Sequence, residues 1–155
     1  MRLKKVSSFC VKVISSVFFI GYLPLIPGTF GSIFGVGLFF LFKNASSPGY
    51  FLFILAVIVL GLATSGPTEK RLNRKDPGCI VIDEVAGMLI ALSFMPYDFK
   101  IVLLAFLFFR ILDTLKPFPA TWLQNRHGSL GVMSDDLVAG IYTNIVLQVI
   151  LKLTF

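Results

Sequence analysis

VIDEVAGMLIALSFM, residues 81–95, is an apolar run that opens with two adjacent carboxylates, Asp83 and Glu84. A carboxylate in a membrane-spanning segment costs about 2.5–3.5 kcal/mol on insertion scales, so such residues usually pair, bind an ion or act chemically. The helix dipole, which favours acids at a helix start, explains one of them. It explains two poorly, because neighbours on a helix point about 100° apart. We therefore predict that both belong to a functional site, with Gly87 allowing a second helix or a ligand to approach closely.

Two other apolar runs carry acids in the same way. Asp113 ends the run IVLLAFLFFRILD, and Asp135 and Asp136 begin the run DDLVAGIYTNIVLQVIL. Together the three runs hold five of the eight carboxylates in the chain. Since each cluster is on a different hydrophobic segment, the pattern predicts one polar site shared by several helices.

The composition indicates a membrane protein. Hydrophobic residues make up 56% of the 155 and charged residues 14%, against about 25% charged in an ordinary soluble domain. With a mean hydropathy of +0.88, we expect an all-α, polytopic transmembrane helical bundle, with residues 1–155 as a single membrane-embedded domain. The net charge is +6, and the basic residues lie between the apolar segments. This distribution favours membrane lipids, and not nucleic acid, as partners.

The apolar runs predict helices near residues 9–23, 30–42, 50–66, 79–96, 100–115 and 135–153. Breaks are expected at Pro/Gly clusters, including the stretch from Gly66-Pro67 to Pro77-Gly78. The first segment contains Lys12 and ends at two prolines, so we predict a short N-terminal interfacial helix. If the later segments alternate in direction from a cytoplasmic N-terminus, 11 basic residues lie on the cytoplasmic side and only Lys43, Lys100 and Lys152 on the other. This obeys the positive-inside rule and places the acidic clusters on the cytoplasmic face.

Arg110, Asp113 and Lys116 are spaced i, i+3, i+6 and line one side of a helix end. Pro117 stops that helix and fixes the position of its exit. A self-neutralising ladder of charges at the interface is one interpretation. The other is a site for a metal and a phosphate, because Arg offers a fork to phosphate oxygens and Lys a point charge.

Two helix starts add polar groups. Asp135 and Asp136 follow Ser134, a predicted N-cap, and are natural ligands for a hard cation such as Mg2+, which prefers one or two carboxylates plus water. The segment 27–32, PGTFGS, begins a helix with glycines and the hydroxyls of Thr29 and Ser32. Backbone N–H groups at such a helix start attract phosphate.

Several phosphatase chemistries are excluded by the sequence. Cys79 has no Arg six residues on, His127 is the only histidine, and no Asp-x-Asp-x-Thr occurs. What remains is a carboxylate-bound metal with cationic clamps for phosphate. The alternative from another class is a small ion or metabolite transporter that uses the acidic clusters as an ion path. No acid lies mid-span and no inverted repeat is visible, which counts against that alternative.

Three blocks of the chain, in matching order and spacing, resemble bacterial phosphatidylglycerophosphatase A: GCIVIDEVAGMLIAL (78–92), FRILDTLKPFPATWLQNRHGSLGVMSDDLVAGI (109–141) and LPLIPGTFGSI (23–33). The resemblance implies a lipid phosphatase of the bacterial inner membrane. It implies Mg2+ as cofactor, and hydrolysis of the terminal phosphate of phosphatidylglycerophosphate to give phosphatidylglycerol.

The resemblance also implies a set of site residues. The expected catalytic residues are Asp83, Glu84, Asp113 and Asp136. The expected phosphate-binding residues are Thr29, Ser32, Arg110 and Lys116. The expected metal ligands are Asp83, Glu84, Asp113, Asp135 and Asp136, with Glu69 added from a region that matches only loosely. Attack by water and a covalent aspartyl intermediate both remain open.

Overall fold

The computed structural model describes residues 2–42 and 44–154. Within this part of the chain every regular element is helical and no strand occurs, which confirms the predicted all-α class. The elements in chain order are α1 (Arg2–Ser15), a 3-10 turn (Ile20–Tyr22), α2 (Pro27–Leu41), α3 (Ser47–Leu72), α4 (Ile82–Ala91), α5 (Phe99–Leu115), α6 (Ala120–Gln124) and α7 (Ser129–Thr154).

The short helix α4 lies at the centre and contacts α2, α3, α5 and α7. Its side chains Met88 and Leu89 are fully buried. At 10 residues it is about 15 Å long, so the predicted helix 79–96 was too long for this part of the chain. The chain turns after α4 because Asn144 of α7 donates its side-chain amide to carbonyls of residues 90, 91 and 93, the last at 2.6 Å.

The helices α3 and α7 are long and apolar enough to cross a membrane, judged by length and composition, and α2 is a shorter apolar helix. Large apolar side chains such as Leu52, Leu107 and Val149 are exposed on the sides of the bundle. Asp83 and Asp136, in contrast, are each only 4% exposed. An apolar surface around buried carboxylates reverses the usual distribution of soluble proteins and indicates membrane association.

The bundle has two chemically different ends. At one end, which we call the aromatic end, Phe42 stacks on Phe53 and Phe39 stacks on Tyr97, with ring centroids 4.1 and 4.4 Å apart. The hydroxyl of Tyr50 donates to a carbonyl at the end of α4, across 2.9 Å. The opposite end, which we call the acidic end, contains the starts of α2, α4 and α7 and the ends of α3 and α5.

The helix α7 begins six residues before its predicted start at residue 135. Gly128, with a φ of 82°, leads into it, and the Ser129 hydroxyl accepts a hydrogen bond from Gly66 N at 2.8 Å. Ser134 is therefore inside the helix, where its hydroxyl donates to the carbonyl of Leu130. The predicted N-cap role of Ser134 was wrong, and Asp136 lies in the second turn.

The helix α3 continues through Pro67 to Leu72, where a break had been expected. Contacts with other parts of the chain hold this extension: the Thr68 hydroxyl lies 3.0 Å from that of Ser15, and Arg71 donates to the carbonyl of Ser8. The left-handed Asn73, with a φ of 47°, ends the helix. Tertiary contacts thus outweigh the cost of the prolyl ring at this position.

The helix α1 ends at residue 15, well before the predicted residue 23. Its last carbonyl, on Ser15, accepts a hydrogen bond from Val81 N at 3.0 Å. The chain then turns sharply, and Gly21 lies so close to the backbone of Cys79 that it has no room for a Cβ atom. Packing against the segment before α4 therefore ends the helix. The interfacial position of α1 stays a prediction.

A close backbone contact joins α4 to α7. A Cβ atom on Gly87 would lie 2.5 Å from the carbonyl oxygen of Asp136 and 2.7 Å from the Phe109 ring. A Cβ atom on Gly140 would collide with the carbonyl oxygen of Gly87. Both positions require glycine, because the two backbones touch there.

We expect Gly87→Ala to lower the thermal unfolding midpoint of the detergent-purified protein, because the added methyl group forces α4 and α7 apart. Gly37→Ala in α2 is the matched control, since a methyl group added there would have no described atom within 4 Å. On helix propensity alone both changes would stabilise by up to about 1 kcal/mol. Equal midpoints for the two variants would contradict the close crossing.

Candidate active site

The glycine contact brings the acids of α4 and α7 together at the acidic end. Asp83 lies one helical turn before Gly87, and Asp136 lies one turn before Gly140. Asp83, Glu84 and Asp136 each offer a carboxylate oxygen, and these three oxygens lie within 4.8 Å of one another. The structure thus unites three of the residues that the sequence predicted as metal ligands.

These carboxylates fit a divalent cation. Among the described residues, the buried atoms Glu84 Oε2 and Asp136 Oδ1 have no hydrogen-bond partner. Leaving a carboxylate oxygen buried and unpaired costs several kcal/mol, and hard cations such as Mg2+ and Ca2+ bind such oxygens. We call Asp83, Glu84 and Asp136 the carboxylate triad.

Arg110 and Asp113 lie next to the triad at the end of α5. Arg110 Nη1 donates to Asp113 Oδ2 across 2.8 Å, and Asp113 also lies within hydrogen-bond reach of Asp136. Arg110 Nη1 and Glu84 Oε1 both border Gly28 in the first turn of α2. The guanidinium therefore lies at the border of the triad, beside the start of α2.

Lys116 pairs with Asp135, the neighbour of the triad residue Asp136. The Lys116 Nζ–Asp135 Oδ2 distance is 2.5 Å. Burial alone would lower the pKa of Lys116, but the hydrogen bond and charge of Asp135 more than offset it, so the pKa is raised. The pairing with Asp135 thus favours the charged form of Lys116. The structure places Asp135 with this cation and outside the triad.

The remaining predicted residues lie around this centre. Ser32 is fully buried, and its hydroxyl donates to the carbonyl of Gly28 at 3.0 Å. Thr29 is half-buried in the first turn of α2. Glu69 lies outside the triad. Its Oε2 accepts a hydrogen bond from Gly128 N at 2.8 Å. The binding roles of Thr29, Ser32 and Glu69 stay predictions.

Asp76, in the connection between α3 and α4, is an acid of this end that the sequence reasoning missed. Burial raises the pKa of Asp76, while Lys116 and a hydrogen bond to Gln124 act in the opposite direction. The sequence contained a signal for Asp76, because it lies only seven residues before Asp83. Of the other two acids outside the apolar runs, Asp98 has a structural role: it caps the start of α5 by accepting from two backbone N–H groups.

The fold and the site define a membrane-associated helical protein with a buried carboxylate site that suits a divalent cation, bordered by an arginine and a lysine that suit a phosphate. The model of the family "Phosphatidylglycerophosphatase A" matches residues 13–151. The chain belongs to this family and is a phosphatase, as its sequence motifs predicted.

Curated relatives extend this result. Phosphatidylglycerophosphatase A of Escherichia coli (strain K12) is 38% identical over 123 residues, covering 78% of this chain and 72% of that protein. Phosphatidylglycerophosphatase A of Haemophilus influenzae is 35% identical over 123 residues, covering 77% and 76%. A protein of Bacteroides thetaiotaomicron named "Putative phosphatidylinositol-3-phosphatase" is 32% identical over 154 residues, covering 92% and 94%. No solved structure matches the chain.

We expect Mg2+ to raise the unfolding midpoint of the wild-type protein, and we expect Asp136→Asn to abolish this rise. A ligand at a hundred times its Kd stabilises the folded state by about 2.7 kcal/mol, and this gain requires the intact triad. Without Mg2+ the variant should unfold at or above the wild-type midpoint, because one of three mutually repelling carboxylates is gone. Asp98→Asn at the aromatic end is the control and should keep the full response to Mg2+. A full response in Asp136→Asn would remove this residue from the metal site.

Proposed function

We propose that this protein hydrolyses the terminal phosphate monoester of phosphatidylglycerophosphate to phosphatidylglycerol and inorganic phosphate, with Mg2+ as cofactor. The observation that carries the proposal is the carboxylate triad with its unpaired oxygens, beside Arg110 and Lys116. An enzyme that transfers a phosphoryl group performs little covalent chemistry itself, and most of its rate acceleration comes from positioning the reactants and neutralising their charge. A metal site beside two cationic side chains provides both.

Arg110 and Lys116 can bind the phosphate while they remain paired with Asp113 and Asp135. A guanidinium has five N–H donors, so Arg110 can hold Asp113 and still offer a fork to two phosphate oxygens. An ammonium has three donors, and Lys116 uses one on Asp135. The carboxylates of Asp113 and Asp135 thereby keep both cations in place before the substrate arrives.

Asp83, Glu84 and Asp136 would hold the Mg2+. Bound there, the ion would neutralise negative charge on the phosphoryl oxygens. In the reaction, the oxygen of a water molecule attacks phosphorus in line with the leaving group. The bond from phosphorus to the glycerol oxygen breaks, that oxygen takes up a proton that the attacking water gives up, and inorganic phosphate leaves.

The relatives favour phosphatidylglycerophosphate as the substrate. The family model and two of the three relatives are named for phosphatidylglycerophosphatase A. The third is named for a phosphatidylinositol 3-phosphatase, which would act on another phosphate monoester of a membrane lipid. The shared chemistry is a lipid phosphomonoester, so phosphatidylinositol 3-phosphate is the informative comparison substrate.

The direct test is phosphate release by the purified protein in mixed micelles. We expect release from phosphatidylglycerophosphate to exceed release from phosphatidylinositol 3-phosphate, to stop on chelation and to return with Mg2+. Ca2+ should restore it poorly, because its longer and looser coordination does not match the octahedral geometry of Mg2+. Full activity after exhaustive chelation would overturn the proposed metal dependence, and a preference for phosphatidylinositol 3-phosphate would overturn the substrate.

Variants in the same assay separate the roles of the residues. Asp83→Asn and Asp136→Asn should abolish turnover, whereas Arg110→Lys should lower it without changing the Mg2+ concentration required, since lysine cannot form the bidentate fork. Arg126→Lys is the control, because the Arg126 side chain packs over the Trp122 ring. Normal specific activity with a lowered unfolding midpoint in Arg110→Lys would mean that this residue only stabilises the helix end.

We further propose that the protein spans the bacterial inner membrane with its acidic end in the cytoplasm. Most described basic side chains lie at this end, whereas Lys100 and Lys152 lie at the other end of the bundle. The positive-inside rule then assigns the acidic end to the cytoplasm. The basic residues at the acidic end are Lys12, Lys70, Arg71, Arg74, Lys75, Arg110, Lys116 and Arg126.

Single cysteines at Ser47 and Asn73 test this orientation, in a background that lacks Cys10 and Cys79. Ser47 begins α3, and Asn73 follows its last residue, so the two positions are about 39 Å apart along a helix of 26 residues. We expect a membrane-impermeant thiol reagent to label Ser47→Cys from the periplasmic side and Asn73→Cys only after the cells are opened. Labelling of both from one side would refute a spanning α3.

A further inference from the structure

The adjacent carboxylates of Asp135 and Asp136 serve two different positions. Neighbours on a helix point about 100° apart. Here Asp136 belongs to the carboxylate triad, whereas Asp135 Oδ2 lies 2.5 Å from Lys116 Nζ. The second turn of α7 therefore presents one acid to each of two neighbouring positions that are suited to a cation.

The ammonium of Lys116 occupies the second position. Besides Asp135, the negative charges of Asp113 and Asp76 act on it, so acids from α7, α5 and the α3–α4 connection all attract one lysine. Asp135 is 4% exposed, and its Oδ1 has no hydrogen-bond partner among the residues described. An excess of carboxylates with a buried unpaired oxygen is a typical environment of a cation.

The backbone holds Lys116 in this place. Lys116 is the left-handed residue that caps α5, with a φ of 46°, and its N–H donates to the carbonyl of Leu112 at 2.8 Å. Its own carbonyl accepts from the hydroxyl of Thr121 at 2.8 Å. Since both sides of the residue are fixed, the side chain starts from a defined point and reaches Asp135 in α7.

We infer that Lys116 is a built-in cation that fills the second of two cation positions, so that the site takes one divalent ion at the triad. Asp76 belongs to the acids that hold this ammonium. The inference rests on the proposed metal-dependent function and adds to it the number of ions. Many phosphate-processing enzymes place a second metal about 3.5–4 Å from the first, and here a lysine would supply a single positive charge in place of that ion.

The test counts bound ions directly, with Mn2+ as the probe and protein purified in a neutral detergent. Equilibrium dialysis should find one tightly bound Mn2+ per wild-type chain. Lys116→Met keeps an unbranched side chain, removes its charge and leaves the position of the ammonium empty, so it should admit a second Mn2+, visible as a spin-coupled pair by electron paramagnetic resonance. Lys116→Met combined with Asp76→Asn should weaken this second site. Lys152→Met, at the far end of α7, is the control and should bind one ion.

A second comparison does not depend on the folding of Lys116→Met. Asp135→Asn should keep one Mn2+, because Asp135 faces Lys116, whereas Asp136→Asn should lose the ion. Loss of the ion in Asp135→Asn would overturn the inference, as would a single Mn2+ in folded Lys116→Met. Two ions in the wild type would overturn it and leave the proposed function standing. No bound ion in the wild type would overturn both.

Discussion

The backbones of α4 and α7 touch at Gly87 and Gly140, and this contact determines where the acids of both helices lie. Asp83 and Asp136 are each one turn before the glycine of their own helix. Two helices that cross this closely must therefore bring the two carboxylates side by side. A larger residue at either position would separate the helices and spread the acids apart, so packing and chemistry depend on the same pair of glycines.

The consequence of this contact is a concentration of negative charge in an apolar bundle. Buried charges are costly unless they are paired, and the acidic end pairs two of its carboxylates through Arg110–Asp113 and Lys116–Asp135. Among the described residues no protein cation forms an ion pair with the triad, and its unpaired oxygens are the natural place for a divalent ion. In our proposal the ion and the two protein cations together attract the negative phosphoryl oxygens of a lipid phosphomonoester. Arg110 and Lys116 thus stabilise the empty bundle and, in our proposal, recognise the substrate.

The sequence predicted the helical class, the grouping of the acids and the family, because acids in apolar runs carry a strong physical signal. The helix boundaries were less predictable where tertiary contacts decide them. Pro67 lies inside α3 because Thr68 and Arg71 are held by the N-terminal part of the chain, and α1 ends early because it meets the segment before α4. The partner of Asp135 and the place of Asp76 depend on how α5, α7 and the α3–α4 connection meet. Periodicity along one segment contains no information about such contacts.

The central claim, that Asp83, Glu84 and Asp136 form a divalent-cation site, is tested most directly by anomalous X-ray diffraction from crystals grown with Mn2+. We expect one strong anomalous peak within coordination distance of carboxylate oxygens from all three residues. A peak at Glu69 and His127, or one at Asp135 with none at the triad, would contradict it.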